Sequence, residues 1–454
     1  MIDFSGDLYG KGAAMQRLSG KKFAIHIQGC RTNQYEGEAI AAALEAEGAV
    51  RGEGSPDIVV IVTCTITAVA DRKCRKLIRR ARRENPRAVI AACGCYAQRV
   101  SEAERELLDI DIVLGNRLKH RLPQLIEERL NGSAPLIEVD QSIERENIWD
   151  ALTLDRPRLH TRAFLKVQDG CNHYCSYCIV PSVRGRPVSR PLAEAVDEAR
   201  RITDAGCPEI VLTGVHLGLY EELPRLVRLI GALPKIRRLR FGSIEPFAVN
   251  GELLAALADC PAFCEHLHMP LQSGDDGVLA AMRRGYGAAD FAKTAQRARD
   301  VLGDGLHIST DLMVGFPSED GEAFRRSLDF VREQGFGKVH VFPYSPREGT
   351  PAAAMKRVGE AEMRPRVNEA LSLAAELHQK FCSNWIGREC GVLTEESDGT
   401  AVKGLTRNYI RITAASAAGI NEEITAIPAK YAEEGLITEG IFQNIQFSSD
   451  VSVI

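Results

Sequence analysis

The sequence predicts an α/β protein in three parts: a parallel-sheet domain at 21–145, a partial (β/α)6 barrel at 157–382 and a small β-barrel at 385–447. Short apolar runs alternate with helical segments in the first two parts, which is typical of parallel strands joined by helices. From residue 391 onwards, short alternating runs are separated by Gly, Asn and Asp, which is typical of antiparallel strands. The Gly-rich residues 1–20 have no periodicity, and we expect a flexible leader there.

The composition indicates an ordinary globular protein of 454 residues, with 45% hydrophobic and 26% charged residues. No apolar run is long enough to span a membrane, and the N-terminus has neither the basic start nor the apolar core of a secretory signal. The thirteen cysteines are odd in number and scattered, which favours free thiols and metal ligands over a disulfide framework. We therefore expect a cytoplasmic protein without a membrane partner.

In the first part, three predicted strands each lead to a cysteine. The strands cover 23–27, 58–62 and 88–92, and the cysteines are Cys30, Cys64 and Cys95. The carboxyl ends of parallel strands meet at one edge of a Rossmann-like sheet, so these thiols can converge on one metal cluster. Cys93 is an alternative to Cys95, but its place inside the strand makes it the weaker candidate. Cys74 lies on the apolar stripe of a predicted helix and is expected in the core.

The second part contains six strand-like runs with helices between them. The runs cover 164–168, 210–213, 239–241, 266–269, 307–314 and 339–342. Six units are fewer than the eight of a closed TIM barrel, so we predict an open, TIM-like barrel with its site at the carboxyl ends of the strands. In the third part, runs at 391–395, 401–405, 409–413 and 423–427 predict a small barrel of OB-like type.

The first barrel strand leads directly into Cys171, Cys175 and Cys178, at CxxxCxxC spacing. Thiolates select zinc, copper(I) or iron–sulfur clusters, and a structural zinc site needs a fourth ligand that is not close in sequence here. An iron–sulfur cluster held by three thiolates leaves one iron open to a small molecule. The alternative is a non-catalytic RNA-binding protein with structural zinc.

The run Cys171-Asn-His-Tyr-Cys175-Ser-Tyr-Cys178 resembles the cluster motif of the radical S-adenosylmethionine (SAM) enzymes. The resemblance implies a [4Fe–4S] cluster whose open iron chelates SAM, which is then cleaved to a 5′-deoxyadenosyl radical. It also implies that SAM lies against residues near the carboxyl ends of the strands. These are Tyr177, Gly214, Glu245, Gln272, Ser273, Asp311 and Gly315.

Three further motifs resemble the N-terminal domain of the radical SAM methylthiotransferases. They are Gly29-Cys30-Arg-Thr-Asn33-Gln, Thr63-Cys64-Thr-Ile-Thr67 and Gly94-Cys95-Tyr-Ala-Gln98. The resemblance implies a second [4Fe–4S] cluster on Cys30, Cys64 and Cys95, which carries the sulfur to be transferred. Gly404-Leu-Thr-Arg407-Asn408-Tyr409 is similar to the TRAM domain, an RNA-binding module.

Within this family, the runs 212–218 and 340–350 resemble the MtaB class. That class converts threonylcarbamoyl-adenosine, 3′ to the tRNA anticodon, to its 2-methylthio derivative. The implied partners are a tRNA anticodon stem-loop, an electron donor such as flavodoxin or ferredoxin, and a sulfur donor. Relatives that act on isopentenyl-adenosine, or on an aspartate of a ribosomal protein, remain alternatives.

Charge is distributed unevenly along the chain. The net charge is −4, but residues 72–87 contain nine Lys or Arg and one acid, whereas residues 385–454 contain ten acids and five Lys or Arg. The affinity for RNA phosphates increases with the number of cations that contact them. Because the third part is acidic, we expect it to bind RNA through a few specific side chains. The candidate RNA contacts are Arg79, Arg83, Arg184, Arg186, Arg407 and Tyr409.

Overall fold

The computed structural model describes residues 16–52, 54–140, 142–145, 149–432 and 435–440. The predicted leader lies outside the described residues except for 16–20. In that stretch the side chain of Leu18 is fully buried, and its amide donates to the Glu47 carbonyl (2.8 Å). The folded chain therefore begins before residue 21, because Leu18 belongs to the main hydrophobic core.

The N-terminal domain is a parallel sheet, as predicted; it has six strands, of which the sequence indicated three, and helices pack on both of its faces. Its strands, in the spatial order β2-β1-β3-β4-β5-β6, are β1 Lys22–Ile27, β2 Val50–Arg51, β3 Ile58–Thr63, β4 Val89–Gly94, β5 Ile112–Leu114 and β6 Leu136–Glu138. Its helices are α1 Arg31–Ala46, α2 Ala68–Glu84, α3 Glu102–Leu108 and α4 Leu122–Leu130. Every residue of β3 and β4 is buried, which explains their unbroken apolar sequences.

The central domain is an open barrel of six parallel strands, again as predicted. The strands are β7 Ala163–Asp169, β9 Glu209–Gly214, β10 Arg238–Phe241, β11 His266–His268, β12 His307–Val314 and β13 Lys338–Pro343, with a short antiparallel edge strand β8 Val188–Ser189 beside β7. Hydrogen bonding divides them into β10-β9-β7-β8 and β11-β12-β13, and the parallel bridge between Ser243 and His268 joins the two. The helices are α5 Val180–Arg184, α6 Leu192–Asp204, α7 Leu223–Gly231, α8 Gly251–Ala258, α9 Asp276–Ala281, α10 Ala288–Leu302, α11 Gly321–Gln334 and α12 Glu360–Ser383.

The C-terminal domain is a six-stranded, mostly antiparallel sheet. Its strands are β14 Cys390–Ser397, β15 Ala401–Thr406, β16 Arg411–Ala415, β17 Glu423–Ala426, β18 Pro428–Ala432 and β19 Gly435–Thr438. The spatial order is β17-β14-β15-β16-β19-β18, and only β16 and β19 run parallel. The sequence predicted the first four strands and not the last two. Residues 441–447 of the predicted domain lie outside the described residues.

Two buried arginines of β10 fix the C-terminal domain to the barrel. Arg238 donates to the carbonyls of Leu405 (2.8 Å) and Gly391 (3.0 Å) and pairs with Glu423 (2.7 Å). Arg240 donates to the carbonyl of Thr406 (2.7 Å). Both side chains are essentially inaccessible to solvent, so the backbone of the C-terminal domain satisfies donors that would otherwise be buried without partners.

Replacing Arg238 by alanine is expected to lower the free energy of unfolding, because it leaves the carbonyls of Leu405 and Gly391 without their donor, at about 1–3 kcal/mol for each acceptor that stays buried. Thermal unfolding and limited proteolysis of the C-terminal domain measure this effect. Arg237→Ala is the control, since that neighbouring side chain is exposed. Equal stability of the two variants would contradict the docking role of Arg238.

Candidate functional site

Cys171, Cys175 and Cys178 lie on the loop that leaves the carboxyl end of β7, where the barrel places its site. The amide of Cys178 donates to the Cys175 carbonyl (3.0 Å), and the amide of His173 donates to the Cys171 sulfur (3.4 Å). Burial raises the pKa of Cys171 to about 11 and that of Cys178 to about 12. Burial raises the pKa of the Cys175 thiol as well, and three thiols this reluctant to ionise suit a site in which bound metal supplies the compensating positive charge.

Arg284, which the sequence did not indicate, connects this loop to two of the predicted SAM residues. Its guanidinium donates to Glu245 (2.5 Å), to the Tyr177 hydroxyl (3.4 Å) and to the sulfur of Cys175 (3.4 Å). The Arg284 side chain is 4% exposed. Tyr177 and Glu245 therefore lie beside the cysteine triplet, and both contact the buried guanidinium of Arg284.

Three further predicted SAM residues differ in whether their polar side-chain atoms are available to a ligand. Asp311 lies 3.3 Å from His268 and is partly open, and Gln272 has a left-handed backbone (φ +74°) and a buried side-chain oxygen without a partner in the described structure. An unpaired buried acceptor of this kind fits a ligand with N–H or O–H donors. Ser273, by contrast, is fully buried, and its hydroxyl is hydrogen-bonded to that of Ser327 (3.0 Å).

The two glycines predicted near SAM lie close to protein atoms. A Cβ on Gly214 would meet the Gln168 side chain at 3.0 Å, and one on Gly315 would meet the sulfur of Met363 at 2.6 Å. The Gly315 amide donates to Glu319 (2.8 Å). Packing within the protein thus accounts for the absence of a side chain at both positions.

The second triplet converges at the carboxyl edge of the N-terminal sheet. Gly29 has φ +109°, and a Cβ there would lie 3.1 Å from the sulfur of Cys64, so the ends of β1 and β3 approach closely only because residue 29 is glycine. Cys30 follows at the N-terminus of α1 and is exposed. Burial raises the pKa of Cys64, and the neighbouring thiols of Cys95 and Cys30 raise it further.

Cys93 and Cys74 lie outside this triplet. Cys93 is fully buried within β4, in the hydrophobic core. Cys74 is buried on α2, and its thiol donates to the Gln28 side chain (2.8 Å) and to the Cys64 carbonyl (3.2 Å). The described residues contain no group of three His, Cys, Asp or Glu side chains that could hold a single metal ion.

The two triplets border the same short helix. Cys95 packs against Ile179, which directly follows Cys178 in the chain, and against Val183 one turn further along. Arg184, at the end of α5, donates from Nε to the Cys95 sulfur (3.1 Å). Asn116 joins both sides, since its amide donates to the Val183 carbonyl (2.7 Å) and lies 3.6 Å from the Cys95 sulfur.

Arg184 is the centre of a buried ionic network between the two domains. It donates to Glu36 (2.9 Å) and Asp169 (3.1 Å), and Lys166 bridges the same two carboxylates (2.8 and 2.5 Å). Burial works against ionisation of Glu36, but Arg184, Lys119 and Lys166 together hold its pKa well below the usual range. Arg184 is 2% exposed, so its predicted role as an RNA contact is not supported.

The other predicted RNA contacts differ in accessibility. Arg79 and Arg83 are exposed on α2, and Arg186 is exposed beside the loop of Cys171. Arg407 donates to the carbonyls of Pro261 (2.8 Å) and Phe263, and so belongs to the junction of the C-terminal domain with the barrel.

Tyr409 is also part of that junction. Its ring stacks on His266 with centroids 4.6 Å apart, and the Arg240 guanidinium lies 4.9 Å from the ring centre. Arg407 and Tyr409 are therefore committed to contacts between the C-terminal domain and the barrel, although both remain partly accessible, and these contacts do not support their predicted role in RNA binding. The sequence alone could not show that Arg407 and Tyr409 lie at a domain junction, because that junction depends on how the two domains pack together.

No helix in the described part of the chain has the length and apolar character needed to cross a membrane.

Comparison with known proteins gives matches over both halves of the site. Residues 165–331 match the Radical SAM superfamily, and residues 22–115 match a family described as uncharacterized protein family UPF0004. In the solved structure of the radical SAM methyltransferase TsrM from Kitasatospora setae, a similar fold covers 74% of this chain and 77% of that chain, with a TM-score of 0.55 and 16% identity. At that identity the likeness concerns the fold alone.

Two curated relatives span most of the chain. One is the threonylcarbamoyladenosine tRNA methylthiotransferase MtaB of Bacillus subtilis, 35% identical over 86% of this chain and 89% of the relative. Another is the tRNA-2-methylthio-N(6)-dimethylallyladenosine synthase of Jannaschia sp., 35% identical over 83% of this chain and 84% of the relative. With a radical SAM barrel, a parallel-sheet domain before it and relatives of this identity over nearly its whole length, the chain belongs to the radical SAM methylthiotransferase family.

Proposed function

We propose that this enzyme adds a methylthio group to carbon 2 of threonylcarbamoyl-adenosine, 3′ to the anticodon of tRNA. The relatives named above include enzymes for this nucleoside and for the dimethylallyl one at equal identity. The two substrates differ chemically, because the threonylcarbamoyl group carries a carboxylate and the dimethylallyl group is a hydrocarbon. A cation close to the sulfur-holding triplet therefore favours the first.

Arg31 is that cation, and it is the observation that carries the proposal. It directly follows Cys30 and is half-buried. Its guanidinium donates to the Phe241 carbonyl (3.1 Å) and to the Tyr409 hydroxyl (3.3 Å), which leaves other N–H groups for a ligand. An arginine in this setting can form charge-assisted hydrogen bonds with a carboxylate, whereas a hydrocarbon has no acceptor for its N–H groups.

Arg31→Met is expected to lower kcat/KM for an anticodon stem-loop that carries threonylcarbamoyl-adenosine by about tenfold or more, since a hydrogen bond to a charged group contributes about 1.5–3 kcal/mol. A second RNA whose threonyl carboxylate is converted to an amide should be a poor substrate for the wild type and suffer little further from the substitution. Arg51→Met, at an exposed position of the same domain, is the control. An equal loss on both RNAs would contradict carboxylate recognition.

The nucleoside itself is tested in cells. Nucleosides from a deletion strain should lack 2-methylthio-threonylcarbamoyladenosine by mass spectrometry, and the wild-type gene should restore it. An unchanged nucleoside profile would refute a tRNA substrate and favour a protein side chain. Loss of the dimethylallyl derivative instead would refute the proposed nucleoside and keep the family chemistry.

We infer that two [4Fe–4S] clusters are held, one by Cys171, Cys175 and Cys178 and one by Cys30, Cys64 and Cys95. When bound, these clusters and SAM supply the radical and the methylthio group. Arg284 holds Tyr177 and Glu245 at the first triplet, and Arg184 and Asn116 hold Cys95 at the second. Cys95 of the second triplet packs against residues 179 and 183, which begin directly after Cys178 of the first, and this proximity supports a single chamber in which one base meets both.

The exposed face of α2 supports binding of the RNA backbone. Arg72, Lys76, Arg79 and Arg83 recur at the spacing of one helix stripe, all are exposed, and none forms an ion pair within the described structure. The helix starts beside the chamber, because its N-cap Thr67 lies three residues after Cys64. At about 1.5 Å per residue, α2 carries these cations away from the chamber over several phosphates.

Arg79→Glu combined with Arg83→Glu is expected to weaken binding of the anticodon stem-loop at least tenfold, and to reduce the slope of log K against log salt by about one per lost phosphate contact. Binding measured at several salt concentrations gives both values. Lys293→Glu with Arg297→Glu makes the same charge change on the exposed face of α10. A similar loss in that control would show a general charge effect instead of a backbone contact on α2.

A further inference from the structure

A patch of exposed aromatic and cationic side chains covers the outer side of the loop that carries Cys171, Cys175 and Cys178. Tyr174, between the first two cysteines, is 51% exposed, and Phe247 is also 51% exposed. Arg186 and Arg283 are exposed and form no ion pair within the described structure. Large aromatic and arginine side chains left open in this way are typical of protein contact sites.

Two members of this patch line one concavity, and His173 lies between that concavity and the other two. Asn172, Tyr174, Arg186 and Pro187 line a concavity of about 520 Å³. His173 connects it to the other side, since its ring stacks on Phe247 with centroids 6.4 Å apart.

The loop that includes Arg283 is joined to the patch through the same histidine. The His173 ring nitrogen lies 3.0 Å from the Arg284 carbonyl, next to Arg283. We call the set Tyr174, Arg186, Phe247 and Arg283 the outer patch.

Two residues of the outer patch have a strained backbone. Tyr174 has φ +49° and Arg283 has φ +59°, a region that residues other than glycine seldom adopt. In both cases the side chain is directed to solvent although it is large. Strain retained at exposed positions beside a reactive site suggests a function, because stability alone gives no reason to keep it.

The concavity beside Tyr174 and Arg186 is distinct from the residues predicted to hold SAM. None of the residues predicted to hold SAM lines the concavity, and the exposed cations of α2 lie on the N-terminal domain. The neighbouring strand β8 is the outer edge of its sheet. A partner seated here would reach Cys171 and Cys175 from outside while SAM and the RNA base occupy the chamber.

We propose that the outer patch is the docking surface for an acidic one-electron carrier protein, of the flavodoxin or ferredoxin kind. Radical cleavage of SAM consumes one electron, and Tyr174 of this patch is an exposed residue that lies between two of the proposed cluster ligands in sequence. On docking, the reduced carrier loses one electron and the cluster on Cys171, Cys175 and Cys178 gains it, with no bond made or broken. The two arginines steer the acidic carrier, and the aromatic rings supply a small apolar contact that suits a short-lived complex.

The proposal relies on the radical SAM chemistry of the family and is independent of the RNA substrate. The probes are a reduced acidic flavodoxin and dithionite, which reduces the cluster without docking. In the reconstituted enzyme, Arg186→Glu with Arg283→Glu should slow flavodoxin-driven cluster reduction, followed by absorbance, at least tenfold and should weaken flavodoxin binding at low salt. Dithionite-driven reduction of the same cluster should change less than twofold. Phe247→Ser should weaken binding with little change in its salt dependence.

Arg297→Glu with Arg200→Glu gives an equal charge change on exposed barrel helices away from the loop and should leave flavodoxin binding unaffected. Wild-type kinetics with flavodoxin in the outer-patch variant would overturn the proposal. So would a loss of RNA affinity with unchanged flavodoxin binding, which would make the patch an RNA contact. A wild-type enzyme that is reduced and cleaves SAM but leaves RNA unmodified would contradict the proposed function and leave this proposal standing.

Discussion

Cys64→Ala is expected to abolish methylthiolation and to leave reductive cleavage of SAM intact. Cys64 belongs to the triplet at the edge of the N-terminal sheet, and its described neighbours, which include Gly29, Cys74 and the other thiols of that triplet, all lie in the N-terminal domain. The loop of Cys171 lies on the other domain and keeps its own ligands. Loss of one of three thiolates should therefore empty one site only.

Iron analysis of anaerobically reconstituted protein tests this directly. With four irons in each cluster, the iron content should fall from about eight to about four per chain. 5′-Deoxyadenosine should still form when the variant is mixed with SAM and a reductant. Cys93→Ala is the matched control, because Cys93 is a buried thiol of the same sheet within the core. Iron loss in Cys93→Ala would indicate that Cys93, and not Cys95, is the cluster ligand. Loss of SAM cleavage in Cys64→Ala would contradict the assignment of SAM cleavage and methylthiolation to separate triplets.

Arg184→Gln is expected to destabilise the protein and to deplete the second cluster at the same time. The substitution removes a buried cation from Glu36 and Asp169, and unpairing a buried ion of this kind costs about 3–5 kcal/mol. It also removes the donor 3.1 Å from the Cys95 sulfur. Thermal unfolding of the iron-free protein isolates the first effect, and iron content with electron paramagnetic resonance of the reduced protein reports the second.

Arg184→Lys separates the two roles. Lysine keeps the positive charge but lacks the rigid fork that reaches Cys95 and the carboxylates together. The lysine variant should recover most of the stability while the resonance signal of the second cluster still differs from wild type. Arg186→Gln, two residues along and exposed, is the control for stability. An iron-free Arg184→Gln protein as stable as wild type would show that the network contributes nothing.

The fold was predictable because its information is local. Alternation of apolar runs and helices located β3, β4 and all six parallel barrel strands within one or two residues. The strands β18 and β19 were missed, since Pro428 and the acids that follow interrupt any alternating pattern. Residues 16–20 were assigned to a leader because a single leucine gives no periodic signal, although Leu18 is buried.

For the candidate site, too, the features with a local sequence signal were predictable and those that depend on tertiary contacts were not. Cysteines at strand ends could be grouped from topology, because parallel strands present their carboxyl ends together. The roles of Arg184, Arg284 and Tyr409 depend on contacts between segments more than a hundred residues apart, or between domains. In the sequence, Arg184 and Arg186 occur in the same basic run, and only tertiary packing makes one a buried partner of Cys95 and the other a surface group.

The contact between α5 and Cys95 has a consequence for biogenesis. During translation the N-terminal third leaves the ribosome first, with all three of its thiols, but Arg184 has not yet been synthesised. The nascent domain thus presents Cys95 without its Arg184 contact until residues 180–184 emerge and dock. If the proposed second cluster needs that contact, its assembly should be a late event, after both domains have left the exit tunnel.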